Sequence, residues 1–373
     1  MSQNQAMPFW MNAILLPLLN LLTAFIAIGL IFLAIGVDPI EAAKILLNGV
    51  FGYSEGIGFM LYYTTNFIFT GLAVAVAFHA GLFNIGGEGQ AYIGGLGAGL
   101  VCLLLGPSLP GLLVIPLAII ASAVFGAAWA YIPAVLQAHR GSHIVITTIM
   151  FNYLAASLMV YLMVNVVREP GQMTPQSAEF DSSMWLPTMH GLLAKFGIKI
   201  ETSPLNVSLF IALFAALFVW VFIWHTRWGY QLRTTGSNAK AAVYAGIKPS
   251  KMIVLSMLIS GGLAGMVGVN EILGVNHRLL LDFHVGYGFA GIAVALMGRN
   301  HPMGIIIAAL LFGVLFQGGA EMAYEMFGIT RDVVVVMQGL VILFSGALEF
   351  LYKPWLMKLY LMMNGNSAAK EVA

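Results

Sequence analysis

The feature that most constrains this chain is a series of ten apolar runs, most of them long enough to cross a lipid bilayer, which takes about 17 to 25 helical residues. Of the 373 residues, 60% are hydrophobic and only 8% are charged, too few charges to cover a soluble protein of this size. We therefore predict an all-α, polytopic membrane protein with eight to ten transmembrane helices. The apolar runs are residues 8–36, 58–80, 91–105, 112–136, 144–164, 205–225, 251–272, 286–298, 303–320 and 332–352.

Two of these runs, 91–105 and 286–298, are shorter than a bilayer crossing requires. They predict either partial helices or pieces of longer helices interrupted by glycine. We divide the chain into a first transmembrane helix with an outer amphipathic segment (1–57), a core (58–352) and a tail (353–373).

Composition excludes several classes of function. The net charge is +1 and no long basic run occurs, so nucleic acid is not an expected partner. The single cysteine, Cys102, permits neither an intrachain disulfide nor a metal site built from several thiolates. No phosphate-binding loop of the type used by ATPases is present. We expect a non-catalytic membrane subunit without metal or cofactor.

The basic residues predict the orientation in the membrane, because Lys and Arg in short loops favour the cytoplasmic side. With the N-terminus inside, ten of the 16 Lys and Arg residues fall on the inner side. Both termini are then cytoplasmic. Residues 165–204 form the longest outer loop, in which four prolines predict irregular structure with at most a short helix near Gly191 to Phe196.

A glycine-rich segment from Gly81 to Gly99 carries eight glycines in 19 residues. Each glycine costs a helix interior about 0.5–1 kcal/mol, so we expect the helix to break here. The expected break contains Asn84, Glu88 and Gln90. A lone carboxylate at membrane depth costs about 2.5–3.5 kcal/mol, so Glu88 needs a partner. It caps backbone N–H groups or pairs with a base, contacts a substrate, or changes partners during gating.

A second informative segment is the inner loop 226–250, which is basic and contains no acid. Ser237 or Asn238 can cap a short helix from Ala239 to Ala245 that Gly246 closes. So short a helix is unstable alone in water, which favours a docking element for a cytoplasmic partner. The alternative is a plain loop that follows the positive-inside rule.

Three stretches of this sequence, FNIGGEGQAYIGG, RTTGSNAKAAVYAGI and LISGGLAGMVGVNEI, resemble membrane subunits of bacterial ABC importers of the ribose and nucleoside type. The resemblance is strongest to the larger permease of general nucleoside uptake systems and covers about residues 58–350. It implies a permease of the type II ABC importer kind. The positions that it implies for coupling to the ATPase are Gly236, Asn238, Ala241, Ala242, Ala245 and Gly246.

The same resemblance implies the partners and the place of the protein. These are an ATP-binding cassette ATPase, a second permease subunit and a periplasmic or lipoprotein substrate-binding protein, assembled in the bacterial inner membrane. Similar nucleoside systems pair two different permeases, whereas ribose systems use a homodimer.

On a path for nucleosides, aromatic faces can stack on bases and amides can hydrogen-bond to base edges. Taken singly, each such residue more often serves contacts between helices. The candidate pathway residues are Phe83, Asn84, Glu88, Gln90, Tyr92, Phe151 and Asn152.

Other functions remain as alternatives. The substrate could be a sugar such as ribose or another ribosylated compound. An ion-coupled secondary transporter normally shows several buried acids, and only Glu88 clearly qualifies in the sequence. An intramembrane enzyme would need a nucleophile with a base or a paired set of carboxylates. No H-E-x-x-H motif and no two acids at helical spacing occur inside one span.

Overall fold

The computed structural model describes residues 8, 11, 15–284 and 286–368. Within these residues the chain is all-α and forms no strand, apart from one isolated bridge between Thr188 and Asn206. The helices are α1 (Leu16–Ala34), α2 (Pro39–Phe51), α3 (Ser54–His79), α4 (Gly87–Leu105), α5 (Gly111–Arg140), α6 (Ile144–Asn165), α7 (Met189–Lys195), α8 (Ser208–His225), α9 (Arg227–Ser237), α10 (Ala239–Tyr244), α11 (Pro249–Gly265), α12 (Tyr287–Met297), α13 (Pro302–Glu325) and α14 (Arg331–Ala368).

Eight helices of the described chain are long and apolar enough to cross a membrane: α1, α3, α4, α5, α6, α8, α13, and α11 together with a π-helical extension to Asn276. Two shorter apolar helices, α12 and Asp332–Phe344 within α14, accompany them. This confirms the all-α membrane architecture. The short run 91–105 is part of the 19-residue helix α4, and the run 286–298 is the 11-residue partial helix α12.

The chain divides into two compact units, 1–49 with 318–373, and 50–317. In the first unit α1 packs along α14. Leu16 and Leu356 are buried there, and the Thr23 hydroxyl lies 2.7 Å from the Tyr352 hydroxyl. The predicted tail from residue 353 continues α14 as far as Ala368, and residues 369–373 lie outside the described part.

In the larger unit α3 is the most buried span, with 83% of its most apolar stretch inside the protein. It packs against α8, α11 and α12. Phe67 of α3 meets Tyr287, Phe312 and Phe316 edge to face, with ring centroids 4.7–5.8 Å apart. These interlocked rings form an aromatic block that fixes α3 against α12 and α13.

Helices α4, α5 and α11 meet through glycines. A side chain at Gly94 of α4 would overlap the backbone of Gly265 in α11, and one at Gly126 of α5 would overlap that of Gly261. Small residues let apolar helices approach until their backbones touch. We call this contact the glycine seam, defined by Gly94, Gly126, Gly261 and Gly265.

The segment 165–204 has one 3-10 turn (Ser182–Met184) and the short helix α7, which confirms the predicted irregular structure. It is tied to the stretch after α11 by backbone hydrogen bonds. Phe180 N–H donates to the His277 carbonyl at 2.8 Å, and Leu186 N–H to the Leu273 carbonyl at 2.9 Å.

Candidate functional site

Two short non-helical stretches of the described chain interrupt apolar sequence in the larger unit: residues 80–86 before α4, and residues 277–284 with Gly286 before α12. Gly81 and Gly286 adopt positive φ angles of +74° and +80°, which glycine tolerates without strain. The predicted break is therefore real but shorter than expected. It ends at Gly86, and the glycines from Gly87 to Gly99 lie inside a continuous helix.

The two stretches bring the N-termini of α4 and α12 against each other. A Cβ atom at Gly87 would lie 3.5 Å from the Gly288 Cα atom. The N-terminus of a helix carries partial positive charge and unpaired N–H groups. Where two such ends meet away from water, an anionic acceptor between them is stabilising.

Glu88 is that acceptor. Its Oε1 accepts the Gly286 N–H at 2.8 Å, and its Oε2 accepts the Gly288 N–H at 2.7 Å. His284 Nε2 lies 3.4 Å from Oε1. The Glu88 side chain is buried. Glu88 thus caps free backbone N–H groups, which is one of the predicted alternatives. The N–H groups belong to the start of α12, 198 and 200 residues further along the chain, and not to the break beside Glu88.

The three amide side chains predicted along the pathway, those of Asn84, Gln90 and Asn152, surround this break. Asn84 Nδ2 donates to Gln90 Oε1 at 2.9 Å and to the Ser260 hydroxyl at 2.8 Å. Asn152 accepts the Gly89 N–H and donates to the Ile85 carbonyl, each at 2.9 Å. These bonds hold the interrupted backbone in place, so the amides have a structural task within the chain.

Of the three predicted aromatic residues, one lies close to Glu88 and two lie further from it. The Tyr92 hydroxyl accepts the Asp282 N–H at 2.9 Å, and its ring lies 4.3 Å from that of His284, beside Glu88. Phe83 contacts Phe78, and Phe151 contacts Trp129. Both phenylalanines are partly exposed. The structure therefore groups Tyr92 with Glu88 and leaves the Phe83 and Phe151 rings at the edge of the group.

A second buried acid corrects the prediction that only Glu88 clearly qualifies. Glu271 is 3% exposed and lies in the π-helical turn Val269–Asn276. Its Oε1 accepts the Tyr62 hydroxyl at 2.5 Å and Asn66 Nδ2 at 2.6 Å. Glu271 lies in the apolar run 251–272, so the insertion-cost argument applied to Glu88 would have identified it.

The Glu271 cluster extends through amides to α8. Asn270 Nδ2 donates to Asn66 Oδ1 at 2.9 Å, while Asn270 Oδ1 accepts Asn206 Nδ2 at 2.9 Å and the Ser208 hydroxyl at 2.7 Å. Each of these side chains is buried. Buried polar groups need such partners, so the network fixes α3 and α8 to the π-helical extension of α11.

The predicted short helix of the basic loop exists as α10, Ala239–Tyr244. Asn238 caps it by accepting the Ala241 N–H at 3.0 Å, and Gly246 closes the loop with a φ angle of +74°. Val243 and Tyr244 are 59% and 94% exposed. The exposed residues of α10 are therefore mostly apolar, and Lys240 is the one charge among them.

The six predicted coupling positions divide between two environments. Ala242 is fully buried against Ile247 and Met252, and Gly236 lies against the backbone of His79 and Gly81. These two residues face their own chain, whereas the exposed ones are Asn238, Ala241, Ala245 and Gly246.

Comparison with known proteins identifies the family. The family described as branched-chain amino acid transport system, permease component, matches residues 56–346. The chain belongs to this permease family. It is a multi-pass membrane permease, which confirms the resemblance found in its motifs. No solved structure matches the chain.

Three relatives align over most of both chains. A guanosine ABC transporter permease of Bacillus subtilis is 36% identical over 90% of this chain and 93% of its own length. A nucleoside ABC transporter permease of Lactococcus lactis is 34% identical, covering 92% of this chain and 93% of its own. A glucose ABC transporter permease of Haloferax volcanii is 33% identical, covering 98% and 95%.

Proposed function

We propose that this permease is the membrane subunit of an ATP-driven importer and forms the passage for nucleosides. The main support for nucleosides as the substrate comes from the three relatives described above. Two of them are named as permeases for guanosine or nucleosides. Phe83 and Phe151 are partly exposed beside the interrupted helix, so their rings offer faces on which a base can stack.

The glucose permease of Haloferax volcanii favours a second candidate, a sugar. Uptake of labelled guanosine and uridine, with unlabelled glucose and ribose as competitors, separates the two in a strain lacking the native gene. We expect each nucleoside to compete with the other and neither sugar to compete. Inhibition by glucose alone would replace the nucleoside proposal with the sugar one.

We place the importer in the bacterial cytoplasmic membrane with both termini inside, because the 226–250 loop is basic and free of acids. Ser183 and Ser237 are exposed in segments predicted to lie on opposite sides. A cysteine at Ser183 should react with an impermeant thiol reagent in intact cells, and one at Ser237 only after lysis. The reverse pattern would invert the topology.

The exposed side of α10, with Val243 and Tyr244 beside Lys240, supports docking to a separate ATPase subunit. Ala241→Arg places a bulky charge on that face without entering the packed side of the helix. We expect transport and transport-linked ATP hydrolysis to fall at least tenfold while the permease still folds. Ala194→Arg, the same change at an exposed position of α7, is the matched control. Equal activity of the two variants would refute docking through α10.

A second permease subunit completes the proposal. A second nucleoside permease of Lactococcus lactis is 29% identical over only 68% of this chain. One organism therefore holds two related permeases, of which one resembles this chain more than the other does. We infer a heterodimer. Co-expression of two differently tagged copies of this chain should give no co-purification, whereas a homodimer would carry both tags.

A further inference from the structure

A groove of about 400 Å³ opens between α5 and α11 at the end of the helices that carries the basic loop. It lies next to the glycine seam, where the two helices are in backbone contact. Nothing in the transport mechanism proposed above uses this groove. Its lining divides into a charged end and an apolar end.

The charged end is formed by Lys248, Lys251 and His139. All three side chains are exposed. Among the described residues that line the groove none is an acid, and the whole loop that leads into it lacks acids. This end of the groove therefore attracts anions.

The apolar end is formed by Val135 of α5 and by Val254 and Leu258 of α11, all half-buried. Outside the groove the surface of α5 continues with Ile120 and Ile132, which are 58% and 47% exposed. The apolar end is thus continuous with the exposed apolar surface of a helix long enough to cross a membrane.

From this combination we propose that the groove binds one anionic phospholipid. Its phosphate would lie at Lys248 and Lys251, and one acyl chain would lie along Val135, Val254 and Leu258. Basic pockets between transmembrane helices on the cytoplasmic side are suited to anionic headgroups. A soluble anion would gain nothing from the apolar end, and an uncharged lipid nothing from the lysines.

The groove also touches the support of α10. Leu255 lines the groove and packs against the buried cluster of Ala242, Ile247 and Met252 beneath α10. A lipid in the groove would hold Leu255 in place and so stabilise α10. This consequence, unlike the lipid site itself, matters for coupling only if α10 docks as proposed above.

Native mass spectrometry of the delipidated permease in detergent tests the site, with phosphatidylglycerol and phosphatidylcholine as probes. We expect one phosphatidylglycerol to be retained in preference to phosphatidylcholine. The double variant Lys248→Gln/Lys251→Gln should bind it about 30-fold more weakly, since a lysine near an anionic lipid contributes about 1 kcal/mol. Val254→Trp, which fills the apolar end, should lose it as well.

Arg227→Gln removes an exposed charge of the same loop outside the groove and is the matched control, expected to bind as the wild type does. Lys248→Arg/Lys251→Arg keeps the charge and should restore binding. Equal retention by the wild type and the double Gln variant would overturn the site. A double Gln variant that still retains the lipid but no longer binds the ATPase subunit would also overturn the site. The groove would then be a contact surface for that protein.

Amide exchange of residues 239–244 in lipid nanodiscs tests the link to α10. We expect slower exchange with phosphatidylglycerol than with phosphatidylcholine in the wild type and no difference in Val254→Trp. Lipid retention without this slowing would overturn the link and leave the lipid site standing.

Discussion

Replacing Glu88 tests whether the meeting point of α4 and α12 depends on one carboxylate. Glu88→Ala removes the acceptor of the Gly286 and Gly288 N–H groups, which lie 2.8 and 2.7 Å from it. No other side chain bonds to these two donors in the described structure. Glu88→Gln keeps one acceptor oxygen and turns an N–H₂ group toward the second donor.

The size of the effect follows from these contacts. Removing the acceptor leaves two N–H donors unsatisfied, and each unsatisfied donor costs about 1–3 kcal/mol. We therefore expect Glu88→Ala to lower the free energy of unfolding by about 2–6 kcal/mol, and Glu88→Gln by about half as much. Glu41→Gln changes an exposed acid in the first turn of α2, where the expected loss is below about 1 kcal/mol.

Equilibrium unfolding in mixed SDS and detergent micelles measures the stability of the wild type and the three variants. Their melting temperatures provide a second measure. The same proteins are then tested for uptake of two nucleosides. A Glu88→Ala protein that melts with the wild type but prefers a different nucleoside would refute the capping role. It would show instead that the carboxylate contacts substrate.

Gly94→Ala should lower stability by about 1–3 kcal/mol through overpacking, whereas Gly339→Ala, with open space around it, should be neutral or stabilising by thermal melting. Asn238→Ala removes a helix cap worth about 1 kcal/mol and should speed amide exchange of 239–244; unchanged exchange would refute the cap. The backbone N–H of Glu55 and then the Ser54 hydroxyl lower the pKa of Glu201. Its contribution is therefore present at neutral pH and lost on acidification through that lowered pKa, so the melting temperatures of the wild type and Glu201→Gln should converge in acid.

Features encoded by neighbouring residues could be predicted from the sequence. The start and end of α10 depend on Asn238 and Gly246, a few residues apart, and both act as expected. The spans follow from apolar run length, which the structure reproduces. Local signals of this kind act through hydrogen bonds and backbone angles that need no distant partner.

Features that depend on distant partners could not be predicted. Glu88 meets Gly286 and Gly288 only because two interrupted helices come together in the fold. The glycines of α4 should weaken a helix by propensity, yet Gly95 and Gly99 receive Phe283 and Leu279 of the second interruption. Close packing offsets their cost, so glycine count alone placed the break over too many residues.

The glycine seam and the aromatic block give the larger unit two kinds of contact with different mechanical behaviour. Interlocked large side chains oppose the sliding of one helix along another, because they would have to pass each other. Helix surfaces made of glycine have no side chains to obstruct this movement. Shear between packed helices is an established form of conformational change. We expect α5 to slide by small steps along the glycine seam, whereas the Glu88 and Glu271 contacts hold α4 and α11 to the rigid group of α3 and α12.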